Sequence, residues 1–187
     1  MSKNRTDGLV NNVRGDVDGD LVNNLSVSKA GKKTRKKYAL IACSKSKFNM
    51  DNVYPERLYA KSTLNRLSTE YCKLHNIEYF YISAKYKLVS NKSLISNYDT
   101  TLYTFSKEEI KNWSKDVFDN ILSEIPLGSD LYILAGETYY KYMLKDLRSS
   151  YNVILLFSGL KGIGYILSFL KRETLKKTKT EKEEVLF

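Results

Sequence analysis

Tyr38 to Ala42 is a run of five apolar residues, entered from Lys37 and left through Cys43-Ser44-Lys45-Ser46-Lys47. A short apolar run bounded by charge predicts a strand buried on both faces. Leu64, Leu67, Tyr71 and Leu74 then recur at three-and-four spacing, which predicts an amphipathic helix over about 58–75. Glu78 to Ser83 is rich in aromatic and β-branched residues and predicts a second strand, ending at Ser83, Lys85 and Tyr86. An irregular segment follows, containing Asn97-Tyr98-Asp99-Thr100-Thr101.

The clearest helix begins at Ser106. Ser106 and Glu109 have capping-box spacing, and Ile110, Trp113, Val117, Phe118, Ile121 and Leu122 form one apolar stripe. Pro126 and Gly128 close it. Asp130 to Ala135 predicts a third strand, ending at Gly136-Glu137. Tyr140, Met143, Leu144 and Leu147 mark another helix, and Asn152 to Phe157 a fourth strand. Ser158-Gly159-Leu160-Lys161-Gly162-Ile163-Gly164 opens the last helix, with Ile166, Leu167, Phe169 and Leu170 on its apolar face.

Strands alternating with helices predict an α/β fold: a single three-layer domain, with a mostly parallel sheet of about four strands and helices on both faces. The domain is expected over 38–172. Residues 1–37 are polar, without periodicity, and are read as a disordered basic arm. Residues 173–187 are read as a charged, frayed tail.

Charge sharpens this picture only in part. The net charge of +10 favours a polyanionic partner, nucleic acid before an acidic membrane surface. Residues 1–37 hold nine Lys/Arg against four Asp, so half of the excess belongs to the arm, where Lys32 to Lys37 form a cluster able to touch phosphates. No apolar run approaches the ~18 residues of a membrane span. Two cysteines, Cys43 and Cys72, do not make a disulfide framework, and a reducing, cytoplasmic setting is expected. With one histidine and no Cys/His cluster, neither a metal site nor a cofactor is expected. Asp16, Asp18 and Asp20 alternate like a calcium loop, but Val27 stands where its closing glutamate belongs.

In a parallel sheet all the carboxyl ends share one edge, so the four polar strand ends should face one crevice, where α/β sheets bind ligands. Their chemistry suits a phosphate- or sugar-bearing ligand. Cys43, Ser44, Ser46, Lys47, Ser83, Tyr86, Tyr98, Gly136, Tyr139, Gly162 and Gly164 are the candidate ligand contacts. The serines offer hydroxyls, Lys45, Lys47 and Lys85 positive charge, and the glycines an approach to backbone N–H groups at a helix N-terminus. Tyr86 or Tyr98 would stack on a base. Asp99, Lys85 and Glu137 are the candidate catalytic groups. Each has a structural alternative: Cys43 as a small buried residue, Glu137 as a favourable charge at a helix start, Asp99 as a turn former.

The set Cys43-Ser44-x-Ser46-Lys47, Leu58-Tyr59-x-x-Ser62, Ser83-Ala84-Lys85-Tyr86-x-Leu88, Tyr98-Asp99-x-Thr101-Leu102, Ala135-Gly136-x-x-Tyr139 and Gly159-x-x-Gly162-x-Gly164 resembles an uncharacterised, DUF6884-like domain family of bacteria and phages. The opening motif is also similar to the Pro-Cys-Ser-x-x-Lys segment of archaeosine synthase, an enzyme of tRNA base modification. Lys87 stands where the family reads glycine, which argues against a left-handed backbone there. Three functions follow as expectations. The first is an enzyme acting on a nucleoside, nucleotide or nucleic-acid base, by glycosidic cleavage or base exchange. The second is a non-catalytic nucleotide sensor, and the third a nucleic-acid-binding accessory protein.

Overall fold

The computed structural model describes residues 35–184, with side chains to Lys176. The expected arm, its calcium-like aspartates and Lys32-Lys33-Thr34 lie outside the described residues. Arg35 to Lys37, assigned to the arm from sequence, belong to the fold. Lys37 opens strand β1 (Lys37–Ala42), and the Lys36 carbonyl accepts a hydrogen bond from Asp130 N at 3.0 Å.

The sheet has five strands: β1, β2 (Glu78–Ser83), β3 (Lys87–Ser90), β4 (Asp130–Leu134) and β5 (Asn152–Leu155), in the order β3-β2-β1-β4-β5. β2, β1, β4 and β5 run parallel, and β3 is an antiparallel edge. β1 is central, paired on both sides, which is why its sequence is apolar without alternation. The fifth strand is the one the sequence reading left irregular. Its four residues return along β2 after a three-residue turn and bury only Val89, too little for a periodic signal. Lys87 starts β3 with φ 61°, left-handed despite its side chain. The close Ser83–Lys87 pairing fixes that backbone, and the Lys87 ammonium lies 2.6 Å from Asp116 Oδ2.

Helices cover both faces. α3 (Lys107–Glu124) and α4 (Leu144–Ser150) share one core with Tyr38, Leu40, Phe80, Ile82, Leu131 and Ile133; α1 (Pro55–Tyr59), α2 (Thr63–Leu74) and α5 (Ile163–Glu184) share the other with Ala39, Ile41, Tyr79 and Tyr81. Alternate residues of each strand thus enter opposite cores. The helix expected over 58–75 is two helices. Pro55 starts α1 at a position where its missing N–H costs nothing, and the Ser62 hydroxyl caps a new helix by accepting from Asn65 N. In α3 the capping box forms in both directions, and Trp113, Val117 and Ile121 are buried. Leu122, placed on the stripe from sequence, is 40% exposed. α5 continues past Arg172 with Leu170 and Thr174 buried, so the residues expected to fray carry on as helix.

Candidate functional site at the carboxyl edge of the sheet

From β1 the chain moves to β2 on one side, then crosses to β4 on the other. In doubly wound sheets such a reversal of winding opens a crevice beyond the carboxyl ends of the two strands, here β1 and β4. The parallel order also brings the ends of β2 and β5 to that edge.

Cys43 continues the ladder for one step, its N–H donating to the Ile82 carbonyl at 2.9 Å. Its thiol is half-buried, 3.5 Å from the Tyr139 hydroxyl beyond β4. Side chains from the two strands at the switch therefore meet. The loop then folds back on itself. Ser44 Oγ accepts from Ser46 N at 3.1 Å, and Lys47 Nζ donates to the Ser44 carbonyl at 3.0 Å. That fold sets the Lys47 ammonium 4.2 Å from the centre of the Tyr98 ring, a cation–π distance. Burial lowers the pKa of Lys47, and the nearby Cys43 and Asp99 oppose the shift. The Asp99 carboxylate itself is exposed.

Beneath these groups lies a buried hydroxyl network. Ser83, fully buried at the end of β2, accepts from Lys85 N at 3.2 Å and Tyr86 N at 3.1 Å, and donates to the Tyr98 hydroxyl at 2.8 Å. Tyr98 in turn shares a 2.7 Å hydrogen bond with Tyr59. Trp113 Nε1 donates to the Ser83 carbonyl at 3.0 Å, and its ring meets Tyr139 edge-on at 6.0 Å. Burial, with Cys43 adding to it, pushes the phenols of Tyr98 and Tyr139 far above their ordinary value, and burial does the same to Tyr59. All three stay protonated and neutral. Ser83 and Tyr98, expected from sequence to contact a ligand, are buried and bonded to each other. Tyr98 also cannot stack on a base, since Lys47 covers its ring and Tyr86 stands perpendicular to it at 5.3 Å.

Lys85 is exposed, its ammonium 5.1 Å from the Tyr86 ring and 5.9 Å from that of Tyr98. The Tyr86 hydroxyl is tied to the Ser96 carbonyl at 3.2 Å. The loops after β1 and β2 thus aim two lysines at one tyrosine, with Asp99 next along the chain. The other candidates stand apart. Exposed Glu137 opens a single 3₁₀ turn (Glu137–Tyr139), and its charge acts on the neighbouring Tyr140. Gly136 has an ordinary φ of −71°. Gly162, at φ 89°, shapes the turn into α5, and a Cβ on Gly136, Gly162 or Gly164 would meet nothing within 4 Å. No hydrogen bond joins Gly136, Gly162 or Gly164 to the Cys43–Lys47–Asp99 group.

Sequence reasoning passed over Tyr59 and Trp113 as parts of the site. Tyr59 sits in one of the family-like motifs, where it was given no role, and Trp113 in the apolar stripe, where it was read only as packing. Among the described residues no three His, Cys, Asp or Glu side chains converge as a metal ion requires, and no helix is long and apolar enough to cross a membrane.

Fold and site together define a doubly wound α/β domain with a lysine-bearing crevice at its switch point. The chain belongs to the family of unknown function DUF6884, whose profile matches residues 38–172. Neither a curated protein nor a solved structure matches it.

Proposed function

We propose that the crevice binds the phosphate of a nucleotide or nucleic-acid strand and acts on its sugar–base bond, by cleavage or base exchange. One observation carries the reading: two lysine ammonium groups, from the loops after β1 and β2, lie 4.2 and 5.9 Å from the centre of the Tyr98 ring, with the exposed Asp99 carboxylate near the Lys47 ammonium. Like charges repel, and their convergence is most readily compensated by an anion. Lys47 and Lys85 hold the phosphate. Asp99 stabilises the oxocarbenium-like sugar, or attacks it, as the bond to the base breaks; the base leaves with the electron pair and takes up a proton, and water or an incoming base adds to the sugar.

An accessible acid favours the enzyme over a pure sensor. The accessory nucleic-acid-binding reading gains less, because Arg35 to Lys37 lie at the other end of β1, about 17 Å from the crevice. The test is liquid chromatography–mass spectrometry for free base after incubation with nucleotides and oligonucleotides. Release is expected from the wild type and not from Asp99→Asn, with ligand still bound by the variant. Lys85→Ala should weaken binding by about 1.5–3 kcal/mol, the worth of a charged hydrogen bond. Binding without release by the wild type replaces the enzyme with a sensor.

A further inference from the structure

The Cys43–Lys47–Lys85–Asp99 group offers cations and an acid but no open aromatic face. Tyr98 is covered by Lys47, Tyr139 is half-buried against the core cluster, and Tyr86 has Lys85 over its ring and its hydroxyl tied to Ser96. Tyr103 is different. It is 83% exposed, the highest exposure of any large apolar side chain among the described residues. It sits four residues after Asp99, in the 3₁₀ turn Leu102–Thr104.

That turn is pinned on both sides. Thr101 caps it, its hydroxyl accepting from Tyr103 N at 3.4 Å and its carbonyl from Thr104 Oγ1 at 2.9 Å. Leu102, 1% exposed, is anchored in the core cluster that also holds Trp113 of α3 and, just past the ends of β2 and β4, Ala84 and Ala135. Phe105 packs against the same cluster. The backbone is therefore fixed while the ring is left in water. Through Leu102 and the short link back to Asp99, the turn that carries Tyr103 is held at the carboxyl edge of the sheet.

We infer that Tyr103 is the base-stacking platform of the crevice and that the ligand class is purine-bearing. This rests on the nucleotide reading above and names the part of the ligand that reading leaves open. A tyrosine held in place gives contact area at low entropic cost. Because the ring is open rather than enclosed, it reads the face of a base and not its edge, so the larger purine gains more than a pyrimidine. The phosphate goes to Lys47 and Lys85, and the sugar lies between, within reach of Asp99.

The experiment titrates the full chain with AMP, UMP and ribose 5-phosphate by calorimetry. The wild type should bind AMP more tightly than UMP, and UMP more tightly than ribose 5-phosphate. Tyr103→Ala should lose about 5- to 150-fold for AMP, the range for stacking one base, with its affinity for ribose 5-phosphate unchanged. Tyr103→Phe should retain AMP binding, which a lost hydroxyl contact would not allow. Phe48→Ala is the control, since Phe48 is the exposed ring next to Lys47. If Tyr103→Ala binds AMP like the wild type, or if Phe48→Ala carries the loss instead, the inference is overturned. If AMP binds the wild type no better than ribose 5-phosphate, and Lys85→Ala loses both, the phosphate site stands and Tyr103 falls. If the wild type binds none of the three, the nucleotide reading fails and takes this one with it.

Discussion

Ser83→Ala is expected to destabilise the domain more than any other single-hydroxyl deletion at the crevice. The substitution removes one oxygen and keeps the backbone carbonyl that Trp113 uses. That oxygen accepts two N–H groups and donates to Tyr98, in a residue with no exposed surface. The Lys85 N–H lies in an exposed residue and can be hydrated, and Tyr98 keeps Tyr59 as a partner. The Tyr86 N–H and one side of the Tyr98 hydroxyl lose theirs in a half-buried or buried setting. At about 1–3 kcal/mol for each unsatisfied buried group, the sum is about 2–6 kcal/mol. Urea unfolding should register this as a midpoint lowered by roughly 1–3 M at unchanged slope, for a slope of about 2 kcal/mol per molar. Ser44→Ala is the comparison. Its hydroxyl accepts one N–H in a partly exposed loop, so its effect should stay within about 0.5 kcal/mol. Equal midpoints for the two variants would refute the view that Ser83 is the hub joining β2, its turn and Tyr98.

Trp113→Ala should cost about 3–5 kcal/mol and Trp113→Phe, which strands the Ser83 carbonyl, about 1–3 kcal/mol; as the single tryptophan, Trp113 reports on itself, and emission typical of water-exposed indole would contradict its burial. Alkaline pH should unfold the protein cooperatively. Burial holds Tyr59, Tyr81, Tyr98 and Tyr139 far above the ordinary phenol range, and pushes Tyr71 and Cys72 up to about 12. In the unfolded chain these groups lose protons near pH 9–10, so above that the folded state binds more protons and stability falls as pH rises toward about 12. Tyrosinate absorbance and far-UV circular dichroism should change together. Early ionisation of the buried phenols with the dichroism intact would sink the argument.

Local physics wrote much of this fold into the sequence. A strand buried on both faces must be apolar throughout, and Tyr38 to Ala42 declares itself as central without any partner in view. Ser106 and Glu109 satisfy the first N–H groups of a helix through neighbours three residues apart, so the start of α3 needs no tertiary information. Strands spaced by helix-length segments leave little choice but parallel pairing, and with it a shared carboxyl edge. β3 was not legible, because four residues with one buried side chain have no period to detect. Nor was the backbone of Lys87. A lysine disfavours φ above zero by about 1 kcal/mol or more, and only the fixed register between Ser83 and Lys87 overrides that.

The division is sharpest at the crevice. Parallel topology alone brings Cys43, Ser44, Lys47, Ser83 and Lys85 to one edge, while Tyr98 and Asp99 reach it through the hydrogen bonds of Tyr98 to Ser83 and Tyr59. The sequence could not say which of them face outward. Ser83 reads as a polar strand-end residue and Tyr98 as part of an irregular segment, yet the structure turns both inward, bonds Tyr98 to Ser83 and to Tyr59, and lays Lys47 over the ring. Tyr103, in a segment with no periodicity, is left in water by the burial of Leu102 beside it. Whether a hydroxyl or a ring is support or surface depends on what packs above it. Those neighbours come from residues far apart in the chain: 43 with 139, 59 with 98, 83 with 113.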